Sequence, residues 1–107
     1  MAKYLTLWRM NPLAPWPKDP VESEKLREKM WAGIDDLLKK GVLKEFGYFL
    51  NGTSGYTIGE GDGAEAFKDT TMFMPFYAQE LHEVIPYEKG KGIIRACAKA
   101  QAEMMKK

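Results

Sequence analysis

The sequence has few of the residues that build disulfide frameworks and metal centres. It contains one cysteine, Cys97, and one histidine, His82, in 107 residues. An internal disulfide needs two cysteines, and a structural metal site needs several cysteine or histidine ligands. The sequence therefore excludes an internal disulfide and a multi-cysteine metal site. Cys97 lies in an alanine-rich segment, where we expect it to behave as a small buried hydrophobe.

The chain also lacks an excess of charge of either sign and any long apolar run. Sixteen basic and fifteen acidic residues give a formal net charge of +1. This balance favours neither nucleic acid nor an anionic membrane as a partner, because both attract clustered positive charge. No apolar stretch reaches the ~20 residues of a membrane-spanning helix, and the N-terminal residues show no signal-peptide pattern. We therefore expect a cytoplasmic protein.

What is present is the composition of one folded domain. Hydrophobic residues make up 45% of the chain and charged residues 29%, which is ordinary for a globular protein. The length suits a single domain over residues 1–107, with no room for a second. A domain of this size buries a modest core, so oligomerisation would add stability.

The order of predicted elements is the most informative pattern. An apolar run predicts a strand over residues 4–10, and a proline-rich loop follows over residues 11–20. Asp19-Pro20-Val21-Glu22 then predicts a helix start, with Glu22 reaching back as part of a capping box, and Gly41 ends the helix. Strands are then predicted over residues 42–50 and 55–60, a helix over 62–73 and a strand over 80–87. After a Gly-Lys-Gly break, a last helix is predicted over residues 93–105, within a C-terminal segment of residues 91–107.

This order, β-α-β-β-α-β plus a C-terminal helix, predicts a ferredoxin-like α+β fold with a four-stranded antiparallel sheet. Both faces of the sheet carry large apolar groups. In the first strand Leu5 and Leu7 point one way, and Tyr4, Trp8 and Met10 point the other. Helices cover one face, so a monomer would expose the other as an apolar patch. We therefore expect a homodimer formed by packing two sheets together.

The chain resembles the dimeric α+β barrel superfamily, and within it the muconolactone isomerase-like domains. The resemblance covers roughly residues 3–89 and rests on the element order and on three short segments: Gly47-Tyr48-Phe49 with Gly55-Tyr56-Thr57-Ile58, Met74-Pro75-Phe76, and Glu83-Val84-Ile85-Pro86-Tyr87. It implies a barrel of two sheets from two subunits. Members include isomerases, cofactor-free monooxygenases, haem-degrading enzymes and non-enzymatic modules, so the resemblance leaves the reaction open. The loop over residues 12–20 and the helix from residue 93 depart from the isomerase pattern.

Two residues are candidate catalytic groups. Histidine is the side chain that most often transfers protons in enzymes, so His82 is a candidate general base or haem ligand; a packed or surface histidine is the alternative. Glu45, like Glu60, lies in or at the end of a predicted strand. A carboxyl group buried in a cavity would have a raised pKa and could shuttle a proton during isomerisation. A surface position for these glutamates is the alternative.

Five aromatic residues are candidates for binding a substrate. Tyr4, Trp8, Tyr48 and Tyr56 fall on strands whose faces could line a cavity beneath the sheet, and Trp16 could close its mouth from the proline-rich loop. Such groups suit an aromatic or flat hydrophobic ligand. Packing of the core and of the dimer interface, and attachment of the loop by Trp16, are the alternatives.

The sequence thus supports two hypotheses. The first is a small homodimeric barrel protein that binds a hydrophobic or aromatic metabolite without a metal or cofactor, acting as a binding protein, an isomerase or a cofactor-free monooxygenase. The second is a non-catalytic interaction or assembly module that uses the sheet face and the C-terminal helix, whose methionines suit adaptable contacts. The sequence leaves open whether the protein is an enzyme.

Overall fold

The structure, a computed structural model, describes residues 2–106 as a sheet with three helices. Its elements are β1 (Ala2–Met10), α1 (Pro20–Lys39), β2 (Leu43–Tyr48), β3 (Ser54–Gly61), α2 (Gly63–Met72), β4 (Tyr77–Val84) and α3 (Tyr87–Met104). The predicted α+β class with a four-stranded antiparallel sheet is confirmed. Within residues 2–106, none of the helices combines the length and apolarity needed to cross a bilayer.

The strands lie side by side in the order β2-β3-β1-β4, with every neighbouring pair antiparallel. β1 is central and pairs with β3 on one side and β4 on the other. The helix α1 joins β1 to β2, yet β3 lies between those two strands; α2 joins β3 to β4, yet β1 lies between them. The two β-α-β units are therefore interleaved in one sheet.

The predicted start and end of α1 are confirmed. The Asp19 side chain accepts a hydrogen bond from the Val21 amide at 3.5 Å, and Pro20 occupies the first helical position. Gly41, just past the helix end, has φ 78°, which glycine adopts without the clash that a Cβ would cause. Glu22 contacts Lys25 at 3.5 Å in place of the predicted capping-box bond to the backbone. The helix start is thus capped by Asp19 alone, without the reciprocal bond of a capping box.

The predicted bounds of β4 and the predicted start of α3 were wrong. β4 begins at Tyr77 and ends at Val84, three residues before the predicted position at each end, because its ladder with β1 runs from the pair Met10 and Tyr77 to the pair Lys3 and Val84. The helix α3 begins at Tyr87, directly after Pro86, and continues through Gly90 and Gly92, where the sequence pattern predicts a break. A glycine inside a helix costs about 1 kcal/mol, which weakens a helix without ending it.

The two faces of the sheet are covered differently. The side chains of Thr6 and Trp8 are buried on the face that α1 and α2 cover. Leu5 and Leu7 point to the opposite face, where they remain partly exposed, as does Ile58 beside Leu5 on β3. We call this second surface the free face. The sequence predicted an apolar face here; the structure shows a mixed one, because Glu80 and His82 are paired with Leu7 and Leu5 in the ladder.

The helix α3 extends away from the rest of the chain. All of its residues are exposed except Gly90 and Lys91, which are half-buried, and the molecule measures 71 × 29 × 25 Å. Cys97, which we expected to be buried, is exposed for the same reason. In proteins, most of the stability of a helix comes from packing of its apolar face. The described chain therefore leaves α3 without that packing.

The close approach of Trp8 to Gly55 yields a stability prediction. A Cβ at Gly55 would overlap the Gly47 carbonyl oxygen and the Trp8 indole ring. We expect Gly55→Ala to lower the free energy of unfolding by about 1–3 kcal/mol, as overpacking of a core does. Urea titration followed by tryptophan fluorescence measures it.

The matched control is Gly92→Ala, because a Cβ at Gly92 meets no other atom within 4 Å. This substitution should leave the unfolding midpoint unchanged or raise it slightly through better helix propensity. A Gly55→Ala midpoint equal to that of the unsubstituted protein would contradict the packing described.

Candidate functional site

A cavity lies between the sheet and the helices α1 and α2. Its volume is about 110 Å³ and it is partly open to solvent. An engineered cavity of about 150 Å³ in another protein binds benzene, so the space suits roughly one aromatic ring, with substituents reaching the opening. The walls are mostly apolar, with a few polar groups among them. This combination is typical of a small-molecule site.

The indole of Trp8 is the centre of an aromatic wall in this cavity. It stacks on Phe46 with ring centroids 5.4 Å apart, and Tyr48 and Tyr77 each meet it edge-on at 5.5 Å. All four side chains come from strand positions that point toward the helices, and Gly55, opposite Trp8 in the ladder, leaves room for the ring. Each such pair adds about 0.5–1.5 kcal/mol beyond burial, so this wall is rigid.

The indole Nε1–H of Trp8 has no hydrogen-bond partner among the residues that the structure describes, although Trp8 is only 7% exposed. The other two tryptophans are paired: Trp31 donates to the Tyr48 hydroxyl at 3.0 Å, and Trp16 donates to the Asn11 carbonyl at 2.6 Å. A buried donor without an acceptor costs about 1–3 kcal/mol, and buried polar groups are nearly always paired. Trp8 lines the cavity. The nitrogen atom itself has almost no solvent-accessible surface, so the donor is enclosed by packed atoms and does not face the open cavity.

Asp69 of α2 is a half-buried carboxyl group on the cavity wall. Burial raises the pKa of Asp69, and the nearby Glu65 raises it further, while Lys68 and Lys40 oppose the shift. Asp69 makes no ion pair or side-chain hydrogen bond within residues 2–106, since the Lys40 ammonium contacts Asp36 at 2.9 Å. The carboxyl group is therefore available to a ligand.

The basic group Arg27 and the acidic group Asp69 of the cavity wall lie apart in the direction of the α1 axis. Burial raises the pKa of the Tyr77 hydroxyl, with a smaller contribution from Tyr48, and Arg27 opposes the shift, so Arg27 lies near the tyrosines. Lys40, which acts on Asp69, follows Arg27 by thirteen residues, or about 20 Å along a helix. The basic and acidic groups thus lie toward opposite ends of the cavity.

Three of the five predicted substrate-binding residues, Tyr4, Trp8 and Tyr48, line this cavity. The other two, Trp16 and Tyr56, lie outside its walls. The hydroxyl of Tyr4 reaches the start of α2, at the acidic end, whereas Tyr48 lies at the end with Arg27. The structure thus brings together Tyr4, Trp8 and Tyr48, whose side chains point toward the helices.

Trp16 attaches the proline-rich loop to the body of the protein. Its ring meets those of Phe76 and Tyr77 at centroid distances of 4.9 and 5.7 Å. Together with the hydrogen bond to Asn11, these contacts hold the loop against the beginning of β4. Trp16 therefore attaches the loop, which was the alternative to closing the cavity mouth. It does not line the cavity, but it contacts Tyr77, which does.

The two predicted catalytic residues lie on the free face of the sheet. His82 is paired with Leu5 in the ladder, its side chain is 50% exposed, and its Nε2 is 3.4 Å from the Glu80 carboxylate. The Glu45 carboxylate lies near the Tyr56 hydroxyl and raises the pKa of that hydroxyl. Neither candidate lines the cavity. A catalytic role for either would therefore require a substrate at the free face.

Asp69 was not among the site residues predicted from the sequence, and Trp31 was assigned only to the apolar stripe of α1. Ala66, Thr70 and Phe73 form the side of α2 that faces the cavity, and Asp69 falls between them at helical spacing. That spacing is visible in the sequence and places a carboxyl group on the inward side. The hydrogen bond from Trp31 to Tyr48 joins residues 17 positions apart, and no local pattern indicates it.

The sequence matches no protein-family model and no curated protein. The geometry of the cavity is therefore the basis for assigning it a role. That geometry consists of an aromatic wall and a carboxyl group that makes no ion pair within residues 2–106, both lining one small space.

The raised pKa of Asp69 yields a pH-dependent prediction. Because the folded-state pKa lies above the ordinary 3.8, the charged carboxylate disfavours folding at neutral pH, and this penalty fades as the pH falls toward 3.8. We expect Asp69→Asn to melt at a higher temperature than the unsubstituted protein at pH 7, with no difference below the ordinary pKa.

The control for this measurement is Asp35→Asn, which removes an exposed carboxylate outside the cavity. Its melting temperature should follow that of the unsubstituted protein at every pH. A lower melting temperature of Asp69→Asn at pH 7 would show that the carboxylate stabilises the fold, which is the opposite of the expected direction.

Proposed function

We propose that this chain is a ferredoxin-like domain of the dimeric α+β barrel type that binds a small hydrophobic or aromatic metabolite between its sheet and its helices. The observation that carries the proposal is the cavity around Trp8. It combines the size of a single ring with a wall of four aromatic side chains, and a half-buried carboxyl group, Asp69, lies on its rim of polar groups. Sites for small molecules are concave, mostly apolar and equipped with a few placed polar groups.

The interleaving of the two β-α-β units supports the ferredoxin-like assignment. In a split β-α-β arrangement, a strand of one unit lies between the two strands of the other. The order β2-β3-β1-β4 has this property for both units. The helices α1 and α2 then fall on one face, which gives the cavity its position and leaves the other face for a second subunit.

The free face supports the homodimer. Leu5, Leu7 and Ile58 form a partly exposed apolar strip there, and Phe49 stacks on Tyr56 with centroids 6.1 Å apart. Two sheets pack face to face at about 10 Å, and a twofold axis would place the same strip on both sides. Such packing would remove the apolar strip from water.

Catalysis within this proposal means isomerisation or cofactor-free oxygenation, both of which involve proton transfer. In the dimer, His82 and Glu45 would lie between the two sheets, where a carboxyl group loses water and its pKa rises. The cavity around Trp8 and the space between the sheets are therefore two different places. Binding belongs to the first, and the predicted catalytic residues belong to the second.

An assembly module is the second candidate function, and the exposure of α3 favours it. Ile93, Ile94 and Met104 are 46%, 69% and 84% exposed on this helix. An amphipathic helix with an uncovered apolar side is suited to docking on another subunit. Under this proposal α3 joins subunits, and the cavity is an internal packing defect.

Blocking the cavity tests the binding proposal. Ala66 faces the cavity from α2, whereas Ala64 of the same helix is exposed outside it. We expect 4-ethylphenol, an uncharged single-ring probe, to bind the unsubstituted protein and Ala64→Leu with similar affinity. Ala66→Leu should lose this binding at least about tenfold, because the added side chain occupies the space of the ring. Isothermal titration calorimetry measures the affinities, and equal binding by the two leucine variants would refute this location of the site.

The oligomeric state separates the two candidate functions. We expect Leu7→Glu to convert the dimer to a monomer, since a charged group at the centre of the free face cannot be buried without a partner. Leu13→Glu, at a loop residue that is 92% exposed, should leave the dimer intact. Native mass spectrometry measures both.

Deleting residues 91–107 should leave a dimer if the sheets form the interface, and should reduce the oligomer if α3 joins subunits. Loss of the oligomer on this deletion, with Leu7→Glu unaffected, would favour the assembly module over the sheet-paired dimer.

A further inference from the structure

Hydrogen-bond donors gather at one end of the cavity, where Arg27, Trp31, Tyr48 and Tyr77 line its wall. The Trp31 indole donates to the Tyr48 hydroxyl at 3.0 Å, so the Tyr48 oxygen already accepts a hydrogen bond and its own O–H is left to donate. Tyr48 on β2 and Tyr77 on β4 approach the Trp8 indole from the two sides of β1, each edge-on at 5.5 Å. Two phenol groups therefore meet at the same end of the aromatic wall.

Arg27 adds a positive charge to this end of the cavity. It precedes Trp31 by four residues on α1, a spacing that places the two Cβ atoms about 5–6 Å apart on one side of a helix. Burial raises the pKa of the Tyr77 hydroxyl and Tyr48 raises it further, while Arg27 opposes the shift as a nearby cation does. Arg27 makes no ion pair within residues 2–106. Its guanidinium is therefore available to a ligand.

The end of the cavity with these donors is open to water. Tyr48 is 54% exposed and Trp31 is 42% exposed. A charged group placed at such an opening keeps part of its hydration, whereas a charge enclosed in an apolar interior loses it at a large cost in free energy. The geometry therefore suits a ligand whose ring lies inside the cavity and whose charged group lies at the opening. A guanidinium and two hydroxyl donors match a carboxylate there.

The acidic groups of the wall lie too far away to repel an anion at this opening. The start of α2 is beside Tyr4, since a Cβ at Gly63 would lie 3.4 Å from the Tyr4 hydroxyl. Tyr4 precedes Trp8 by four residues, which is about 13 Å along a strand. Exposed charges at physiological ionic strength are screened over about 8 Å. The carboxyl groups at the start of α2 are therefore beyond that range.

Asp69 lies toward the same distant end. The residue of α1 that acts on its pKa is Lys40, and Lys40 follows Arg27 by thirteen residues, or about 20 Å along the helix. A ligand with a single ring is shorter than that separation. An anionic group beside Arg27 is therefore separated from Asp69 by the length of the ligand and by solvent screening.

We propose that the ligand of this cavity is a single-ring aromatic carboxylate. Its ring lies against the aromatic wall, and its carboxylate lies at the opening, where it accepts hydrogen bonds from the Arg27 guanidinium and from the hydroxyl groups of Tyr48 and Tyr77. This inference rests on the proposed function, because it names the ligand class of the same cavity. Arg27 is then the residue that selects an acid over an uncharged molecule of the same shape.

Two probes of the same shape and different charge test the inference on the full-length protein. Phenylacetate carries a carboxylate, and phenylacetamide carries an uncharged amide in its place. We expect phenylacetate to bind about fivefold tighter, a modest factor because Arg27 is exposed and solvent weakens an exposed ion pair. Added salt should reduce this preference, since screening acts on the anion alone. Isothermal titration calorimetry measures both affinities.

Two variants of α1 assign the preference to Arg27. Arg27→Met removes the guanidinium and keeps an apolar stem, so it should lower the affinity for phenylacetate to that for phenylacetamide and leave the amide affinity unchanged. Lys29→Met removes one positive charge from an exposed residue of the same helix outside the cavity, and should preserve the fivefold preference. A preference for phenylacetate that survives Arg27→Met would overturn the inference.

Tyr77→Phe tests the hydroxyl donors separately. It removes one donor and keeps the ring that contacts Trp8, so the preference for phenylacetate should fall by a factor of about two or more while the amide still binds. An unchanged preference in Tyr77→Phe would contradict the place proposed for the carboxylate.

The outcomes for the two proposals are distinguishable when 4-ethylphenol is titrated alongside. If 4-ethylphenol binds and phenylacetate binds no better than phenylacetamide, the cavity is a ligand site but the carboxylate inference is wrong. If phenylacetate binds fivefold tighter and Arg27→Met alone abolishes the difference, both proposals hold. If none of the three probes binds, both the inference and the proposed function fail.

Discussion

The packing of one tryptophan against one glycine organises the interior of this protein. Trp8 lies in the central strand, and its indole occupies the space above Gly55 that any other side chain would fill. From that position it meets Phe46, Tyr48 and Tyr77 at about the same distance, 5.4–5.5 Å. Three strands are thereby joined through one ring. The helices rest on this wall, and the cavity is the space that they leave above it.

Two polar groups in the interior lack the partners that buried polar groups usually have. A domain this small has little stability to spare, yet within residues 2–106 it keeps a buried indole donor without an acceptor and a half-buried carboxyl group without an ion-pair partner. Both are costs that an apolar substitution would remove. Groups of this kind are typical of binding sites, where stability is given up for recognition. Of the two, Asp69 lines the open cavity, whereas the Trp8 nitrogen is closed off from it, so the aromatic wall and Asp69 are the reasons for assigning the cavity a ligand.

Two other surfaces are incomplete in a single chain. The free face of the sheet exposes Leu5, Leu7 and Ile58 in part, and α3 projects with almost no contact to the body. A helix of this length gains most of its stability from packing. For the free face, the partner we propose is a second copy of the chain. The predicted catalytic residues, His82 and Glu45, belong to the first of these surfaces, so an active site there would depend on dimerisation.

The sequence by itself determined the class and order of the elements, because capping residues, glycines and apolar periodicity act over a few residues. Asp19, Pro20 and Gly41 placed α1, and alternation along β1 placed Tyr4 and Trp8 on one face. Tertiary structure decided which side chains share the cavity, since contacts such as Trp31 with Tyr48 and Gln79 with Thr70 depend on how strands and helices are set beside one another. It also put His82 and Glu45 on the face away from the cavity and left Asp69 without a partner. Those outcomes follow from sheet order and packing, which no local pattern encodes.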